Sequence, residues 1–312
     1  MFGGKSFDPA NDIPDLSGKV ILVTGGNTGL GLETIIQLSS HNPARIFLAA
    51  RTASKATSAI STIHNLVPDA PIEFLPLDLT SFASIRSAAE TFTHSSSRLD
   101  ILINNAGVMA TPYSLTEEGY EIQFGTNHMG HALLTKLLMP TLLKTAEEPN
   151  SDVRIINISS VGHFMAPSSR IIWDQAALEK QSTWRRYGQS KLSNILFTRE
   201  LATRYTSIKS VAVHPGVIIT DLYAPVQTGF FGKVGMWLFK LIGPIIPGFL
   251  PNVQAGAKNQ LWAATAPSGD VKSGEYYVPI GSLSKGSNAS QDQGLAKKLW
   301  EYGETEFQKH GF

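Results

Sequence analysis

Tyr187 and Lys191 stand four positions apart in a stretch, residues 185–205, with helical apolar spacing. Four residues bring two side chains onto one helix face. A phenol beside an ammonium is favoured as phenolate, so its pKa falls. Such a tyrosine can give a proton to a ketone oxygen or take one from an alcohol. The lysine could also hold ribose hydroxyls. Tyrosine and lysine at this spacing occur on ordinary helices too, so the pair gains meaning only from partners. Ser159 and Ser160 end an apolar run that reads as a strand. Successive strand residues face opposite ways, so one of the two hydroxyls points inward. There it could hydrogen-bond a substrate oxygen as charge changes on it. Asn127 lies in a long helical stretch, where an asparagine can bend the ladder, hold a water or serve structure alone.

These groups need a fold that gathers them, and residues 19–31, KVILVTGGNTGLG, point to one. The apolar run Val20 to Val23 stops at Thr24. Gly25, Gly29 and Gly31 follow, with Asn27, Thr28 and Leu30 among them, before a helical stretch. A strand entering a tight turn and then a helix leaves N–H groups beside a positive dipole end, which suits phosphate. Any tight strand-to-helix turn uses similar residues. Arg51 follows the second strand, where a dinucleotide fold meets the adenosine ribose. An acidic side chain there would take a free 2′-hydroxyl; an arginine suits a 2′-phosphate, or is simply solvated. The preferred cofactor is therefore NADP(H). Asp78, followed by Leu79, lies beyond the third strand. It could accept from an adenine amino group or cap the helix opening at Ser81. After the fourth strand, Asn104 and Asn105 can tie strand ends together, while Ala106 and Gly107 leave room for a flat ring or ribose.

The elements that carry these residues alternate. Strands are expected at residues 19–24, 45–49, 72–77, 99–103, 153–159 and 210–214, with a last one at 275–279. Helices are expected at 30–40, 54–66, 81–93, 125–144, 181–205, 253–264 and 293–309, with Pro140 kinking or dividing the fourth. Residues 1–12 read as a polar lead-in with no signal-peptide pattern. Short strands alternating with three-turn helices predict a parallel sheet with right-handed crossovers. No composition break divides the 312 residues, so one domain is expected. A formal charge of +1 offers no field for nucleic acid. The absence of cysteine excludes disulfides, thiol catalysis and thiolate-held metals, and no metal site is expected.

Together these residues resemble the short-chain dehydrogenase/reductase family, over residue 19 to about residue 220. The turn from Thr24 to Gly31, Asn104-Asn105-Ala106-Gly107, Tyr187-Gly188-Gln189-Ser190-Lys191 and His214-Pro215-Gly216 carry the resemblance, in that order. It implies a single doubly wound α/β domain of Rossmann type, strand order 3-2-1-4-5-6-7, with helices on both faces and a C-terminal substrate lid. It implies a tetrad of Asn127, Ser160, Tyr187 and Lys191. Tyr187 would be the general acid/base, and Ser160, rather than Ser159, would orient the carbonyl. Lys191 would lower the Tyr187 pKa and bind ribose, and Asn127 would hold a water linking Lys191 to solvent. Pro215, Gly216 and Val217 would run beside the nicotinamide, and Thr220 would contact its carboxamide or a phosphate. His214 would be structural.

Ser160 and Tyr187 are 27 positions apart, about twice the interval common in the family. The extra residues, 162–178, would form a loop at the substrate mouth. This is similar to the retinol-dehydrogenase-like and WW-domain-oxidoreductase-like branch and to fungal metabolite reductases. Residues 221–251 fall where the family places its lid, and Phe230, Phe231, Met236, Trp237, Leu238 and Phe239 make it apolar. A hydrophobic pocket is the preferred reading; packing over the sheet edge and a peripheral membrane contact are the others. Two lysines and two prolines argue against a true span. The expected reaction interconverts a ketone or aldehyde and an alcohol on a small hydrophobic molecule, with secondary metabolism as a setting. C=C reduction, isomerisation or epimerisation on the same fold is one alternative, and a non-enzymatic NADP(H)-binding scaffold is another. The resemblance also implies a homodimer through the helices near 125–144 and 181–205. The expected location is cytoplasmic, or membrane-associated through the apolar segment.

Overall fold

The computed structural model describes residues 5–216 and 252–312. Val217, Thr220 and the expected lid at 221–251 lie outside the described residues. The strands are β1 (Val20–Thr24), β2 (Arg45–Ala50), β3 (Ile72–Pro76), β4 (Ile101–Asn104), β5 (Arg154–Ile158), β6 (Lys209–Val213), β7 (Tyr276–Val278) and β8 (Ser282–Ser284). They form one sheet in the order β3-β2-β1-β4-β5-β6-β7-β8. Pairing is parallel from β3 to β7, as expected, with β1 in register Val20 to Arg45 and Ile21 to Ile101 on its two sides. The addition is β8, which pairs antiparallel to β7 with Tyr276 opposite Ser284.

The period-two pattern of buried strands sorts into two cores. Leu22, Phe47, Leu102 and Ile155 face one side, against α4 (Phe82–Ser95), α6 (Gly130–Ala146), α7 (Thr183–Arg204) and α9 (Gln293–Lys309). Ile21, Val23, Ile46, Leu48, Ile103 and Ile156 face the other, against α2 (Gly29–Ser39), α3 (Ala53–Leu66) and α8 (Val253–Thr265). Both faces of the sheet are thus covered, and the strand ends that carry polar residues are left to build the site.

Three elements differ from expectation. The lead-in is not merely polar: Phe7, Ile13 and Leu16 are buried in the second core. Between them lies α1 (Pro9–Asp12), with Asp8 capping the Ala10 N–H and Pro9 opening the helix, where its missing N–H costs nothing. The long helix is not divided at Pro140, which lies inside continuous α6 on the exposed side, where water can meet the carbonyl it frees. The irregularity lies earlier. A short α5 (Ile122–Phe124) passes through a π turn, Gly125–Met129, in which the Gly130 N–H reaches back to the Gly125 carbonyl. Asn127 sits in that turn.

The helix α9 lies across α6 and α7. Trp300 stacks on Phe197 with ring centroids 5.6 Å apart, and Glu304 pairs with Lys136 at 2.5 Å. Among the described residues no helix is long and apolar enough to cross a membrane.

Candidate active site

The β1–α2 turn is built by close backbone approach. A Cβ on Gly31 would lie 2.3 Å from the Gly25 carbonyl oxygen, and one on Gly25 would lie 3.0 Å from the Ala106 Cα. Gly29 and Gly25 both take positive φ, and beside Gly29 there is open space at the first turn of α2. The open first turn of this eleven-residue helix could hold a phosphate.

The strand-four turn is tied to this one. Asn105 donates its side-chain amide to the Thr24 carbonyl at 2.8 Å. The Thr24 hydroxyl accepts from the backbone N–H groups of Asn105 and Ala106, each at 2.9 Å. Asn104 joins β4 to β5 through the Asn157 side chain at 2.9 Å. Asn104 and Asn105 therefore do bind strand ends together. Gln260 of α8, which the sequence did not single out, reaches Asn105 Oδ1 at 3.3 Å and Thr34 at 2.5 Å.

At the ribose corner Arg51 is mostly exposed, with Nη1 3.9 Å from Asp78 Oδ2. Asp78 does not cap α4. Its carboxylate accepts from the Thr80 N–H at 2.9 Å and the Thr80 hydroxyl at 2.7 Å, and Ser81 is the cap. Leu79 is buried, and its carbonyl lies against Gly130, where a Cβ would come within 2.5 Å.

The acid–base residues come together at the carboxyl ends of β4 and β5. Ser159 and Ser160 face apart, as strand geometry requires. Ser159 is buried and donates to the Lys191 carbonyl at 2.8 Å. Ser160 accepts from the Gly162 N–H at 3.0 Å and so caps a 3-10 turn, Val161–Met165. Among the described residues its own proton is given to no acceptor. A Cβ on Gly162 would lie 2.7 Å from the Tyr187 ring and 3.3 Å from Ser160 Oγ, so that glycine separates the phenol from the serine. Lys191 Nζ stands 5.8 Å from the centre of the Tyr187 ring and donates to the Ile158 carbonyl at 2.9 Å. Burial lowers the lysine to about 8.

Asn127 is fully buried and clamps the strand-four loop. Its oxygen accepts from the Val108 N–H at 2.8 Å, and its amide donates to the Val108 carbonyl and the Ser190 hydroxyl, each at 2.9 Å. A Cβ on Gly107 would lie 3.1 Å from Asn127 Oδ1 and 3.6 Å from Lys191 Nζ. Gly107 is thus the bare edge that both polar groups face. Asn127, Ser160, Tyr187 and Lys191 are brought to one site.

Pro215 and Gly216 follow β6, and Gly216 has φ of 102°. His214 is buried, its carbonyl accepts from Asn259 at 2.7 Å, and burial lowers it to about 3. A neutral imidazole anchored by its backbone fits a structural residue. His163 was missed by sequence reasoning. Its Nδ1 meets the Ser160 carbonyl at 2.7 Å, and its Nε2 accepts from the Ser287 N–H at 3.1 Å, joining the inserted loop to the segment after β8. His131 was missed too, although it stands four after Asn127 and so shares its helix face.

Comparison with known proteins agrees with this geometry. A family model described as short chain dehydrogenase matches residues 19–229. A short-chain dehydrogenase/reductase of Aspergillus calidoustus is 38% identical over 310 residues, covering 95% of this chain and 96% of its own. Human retinol dehydrogenase 12 is 39% identical over 288 residues, covering 91% of this chain and 85% of its own. Among solved structures, the Pseudomonas aeruginosa RhlG/NADP active-site complex superposes with a TM-score of 0.66 at 24% identity, covering 86% of this chain and 96% of that one. The two sequence relatives span nearly the whole chain, and the family model takes in every residue of the proposed tetrad: the chain belongs to the short-chain dehydrogenase/reductase family.

Proposed function

We propose that the chain is an NADP(H)-dependent oxidoreductase that interconverts a ketone or aldehyde and an alcohol on a small hydrophobic molecule. The observation that carries this reading is the convergence of Tyr187, Ser160 and Lys191 beside two glycines, Gly107 and Gly162, at the carboxyl ends of the strands. Bound there, the cofactor would supply or accept hydride. The turn from Thr24 to Gly31 would hold the pyrophosphate on the first turn of α2, and Arg51 would meet a 2′-phosphate. Asp78 and Leu79 would border the adenine, and Asn105, Ala106 and Gly107 the ribose. Pro215 and Gly216, with Val217 and Thr220 beyond them, would border the nicotinamide.

The remaining chemistry belongs to the chain's own side chains. Ser160 donates its hydroxyl proton to the substrate oxygen and fixes its direction. Tyr187 passes its proton to that oxygen in reduction and takes it back in oxidation. The neighbouring ammonium of Lys191 stabilises the phenolate left behind, and burial strengthens that interaction. Asn127 holds the strand-four loop beside Lys191. Val161, Phe164 and Met165 expose apolar surface directly after Ser160, which favours a hydrophobic substrate, with residues 221–251 as its lid.

Titration of the purified protein with NADPH and NADH, followed by NADPH oxidation against a panel of aromatic and aliphatic carbonyl compounds, tests the reading. NADPH binding with oxidation by at least one carbonyl class is expected. Binding of neither cofactor would overturn it.

A further inference from the structure

His131 is almost wholly buried on α6, and both ring nitrogens are engaged. Nδ1 lies 3.1 Å from the Asn127 carbonyl oxygen, and Nε2 lies 2.8 Å from the Thr24 hydroxyl. A carbonyl can only accept, so Nδ1 carries the proton and Nε2 accepts from Thr24. The Thr24 oxygen has its two acceptor positions filled by the Asn105 and Ala106 N–H groups, and of the two acceptors its proton can reach, His131 Nε2 at 2.8 Å is nearer than the Ile103 carbonyl at 3.4 Å. Both ends of the ring thus favour the neutral Nδ1–H tautomer. Burial pushes His131 down to about 4, and the Lys191 ammonium acts in the same direction.

The bonds continue on both sides. From Thr24 they reach the strand-four turn. From Asn127 they pass to Ser190, whose hydroxyl donates to the Tyr187 carbonyl at 2.8 Å. One imidazole therefore stands between the glycine turn of β1 and the helix that carries Tyr187 and Lys191. Resting on the NADP(H) reading above, we propose that His131 is a positioning residue that holds the cofactor turn and the acid–base helix in register, its Nε2 arm setting Thr24 and its Nδ1 arm setting Asn127. The two arms then have separable consequences. The Thr24 arm shapes the turn that meets the cofactor, and the Asn127 arm shapes the surroundings of Lys191 and Tyr187.

Three variants separate them. His131→Phe keeps a planar ring and removes both arms. His131→Asn places an amide where Nδ1 stands and gives up Thr24. His131→Gln reaches the Nε2 position and gives up Asn127. NADPH Kd is read by fluorescence titration, and kcat and KM with 4-nitrobenzaldehyde as probe. Histidine-selective 15N spectra of the cofactor-free protein report the tautomer directly. The expected results are a neutral Nδ1–H ring at pH 6 and, for His131→Phe, NADPH binding about tenfold weaker with a lower kcat, tenfold being the weight of one good hydrogen bond. His131→Gln recovers binding more than kcat, and His131→Asn recovers kcat more than binding. A charged or Nε2–H ring at pH 6 overturns the proposal. So do three variants that match the wild type, or three equally impaired variants with the same loss of Tm, which is the behaviour of a packing residue. Failure of the wild type itself to bind NADPH would instead overturn the cofactor reading.

Discussion

Gly162 has no room for a side chain because the Tyr187 ring stands against it: a Cβ would come within 2.7 Å of Cε1 and 3.0 Å of Cδ1. The phenol is held in place partly by what the neighbouring residue lacks. Gly162→Ala must push the ring or bend the Ser160 turn. A displacement of about an ångström costs on the order of a hundredfold in rate. We expect kcat to fall by about that factor with NADPH Kd nearly unchanged, since the cofactor turn is built from other elements. Steady-state kinetics beside fluorescence titration check this; a variant with wild-type kcat would show that the ring position is not set here.

Lys191 titrates far below an ordinary lysine, at about 8, because it is buried. Its ordinary value is about 10.5, so burial disfavours the charged form by roughly 3 kcal/mol at neutral pH. Between those two pH values the unfolded chain binds more protons than the folded one, so this group makes stability rise with pH there. Below pH 8 the penalty is constant, and above about 10.5 it is gone. Lys191→Met should therefore unfold at higher denaturant than the wild type at pH 7 in the absence of cofactor, even while losing activity. The gap should narrow from pH 8 upward. Urea unfolding of both proteins at several pH values measures it, and a pH-independent gap would contradict the buried-charge origin.

Arg51 is exposed and only loosely paired with Asp78, at 3.9 Å. An arm so placed is free to turn toward a 2′-phosphate. Arg51→Ala should weaken NADPH by about tenfold to a hundredfold, the weight of a charge-assisted bond, and leave NADH within about twofold. Equal losses for both cofactors would remove Arg51 from the 2′-phosphate role.

Much of this arrangement was legible in the residues because it follows from periodicity. The alternation in β1, β2, β4 and β5 assigns alternate residues to the two cores. It also sends Ser159 and Ser160 in opposite directions. The Tyr187–Lys191 spacing placed both on one face of α7. The edge strand β8 escaped notice because Ser-Leu-Ser carries no alternating pattern of any length and is stabilised only by its pairing with β7. The short helix α1 escaped because Phe7, Ile13 and Leu16 are too scattered to form a local period; their burial is decided by distant partners. The π turn at Asn127 is invisible for a similar reason. Its shape depends on where the Asn127 amide finds Val108 and Ser190, contacts far away in the chain. The Asn127 arm of His131 follows from their four-residue spacing, but its Thr24 contact and the His163–Ser287 contact come from distant elements, which no local pattern encodes.

The central claim is that Tyr187 moves a proton on a carbonyl oxygen while hydride moves at its carbon. The most direct measurement is reduction of the best carbonyl substrate with NADPH deuterated at the transferring position, by the wild type and by Tyr187→Phe. The account predicts deuterium on the carbinol carbon of the wild-type product. It also predicts at least a hundredfold loss of kcat in the variant, within the usual weight of a general acid, and NADPH Kd within about threefold. Deuterium on a carbon of a C=C bond, or a variant as fast as the wild type, would contradict it.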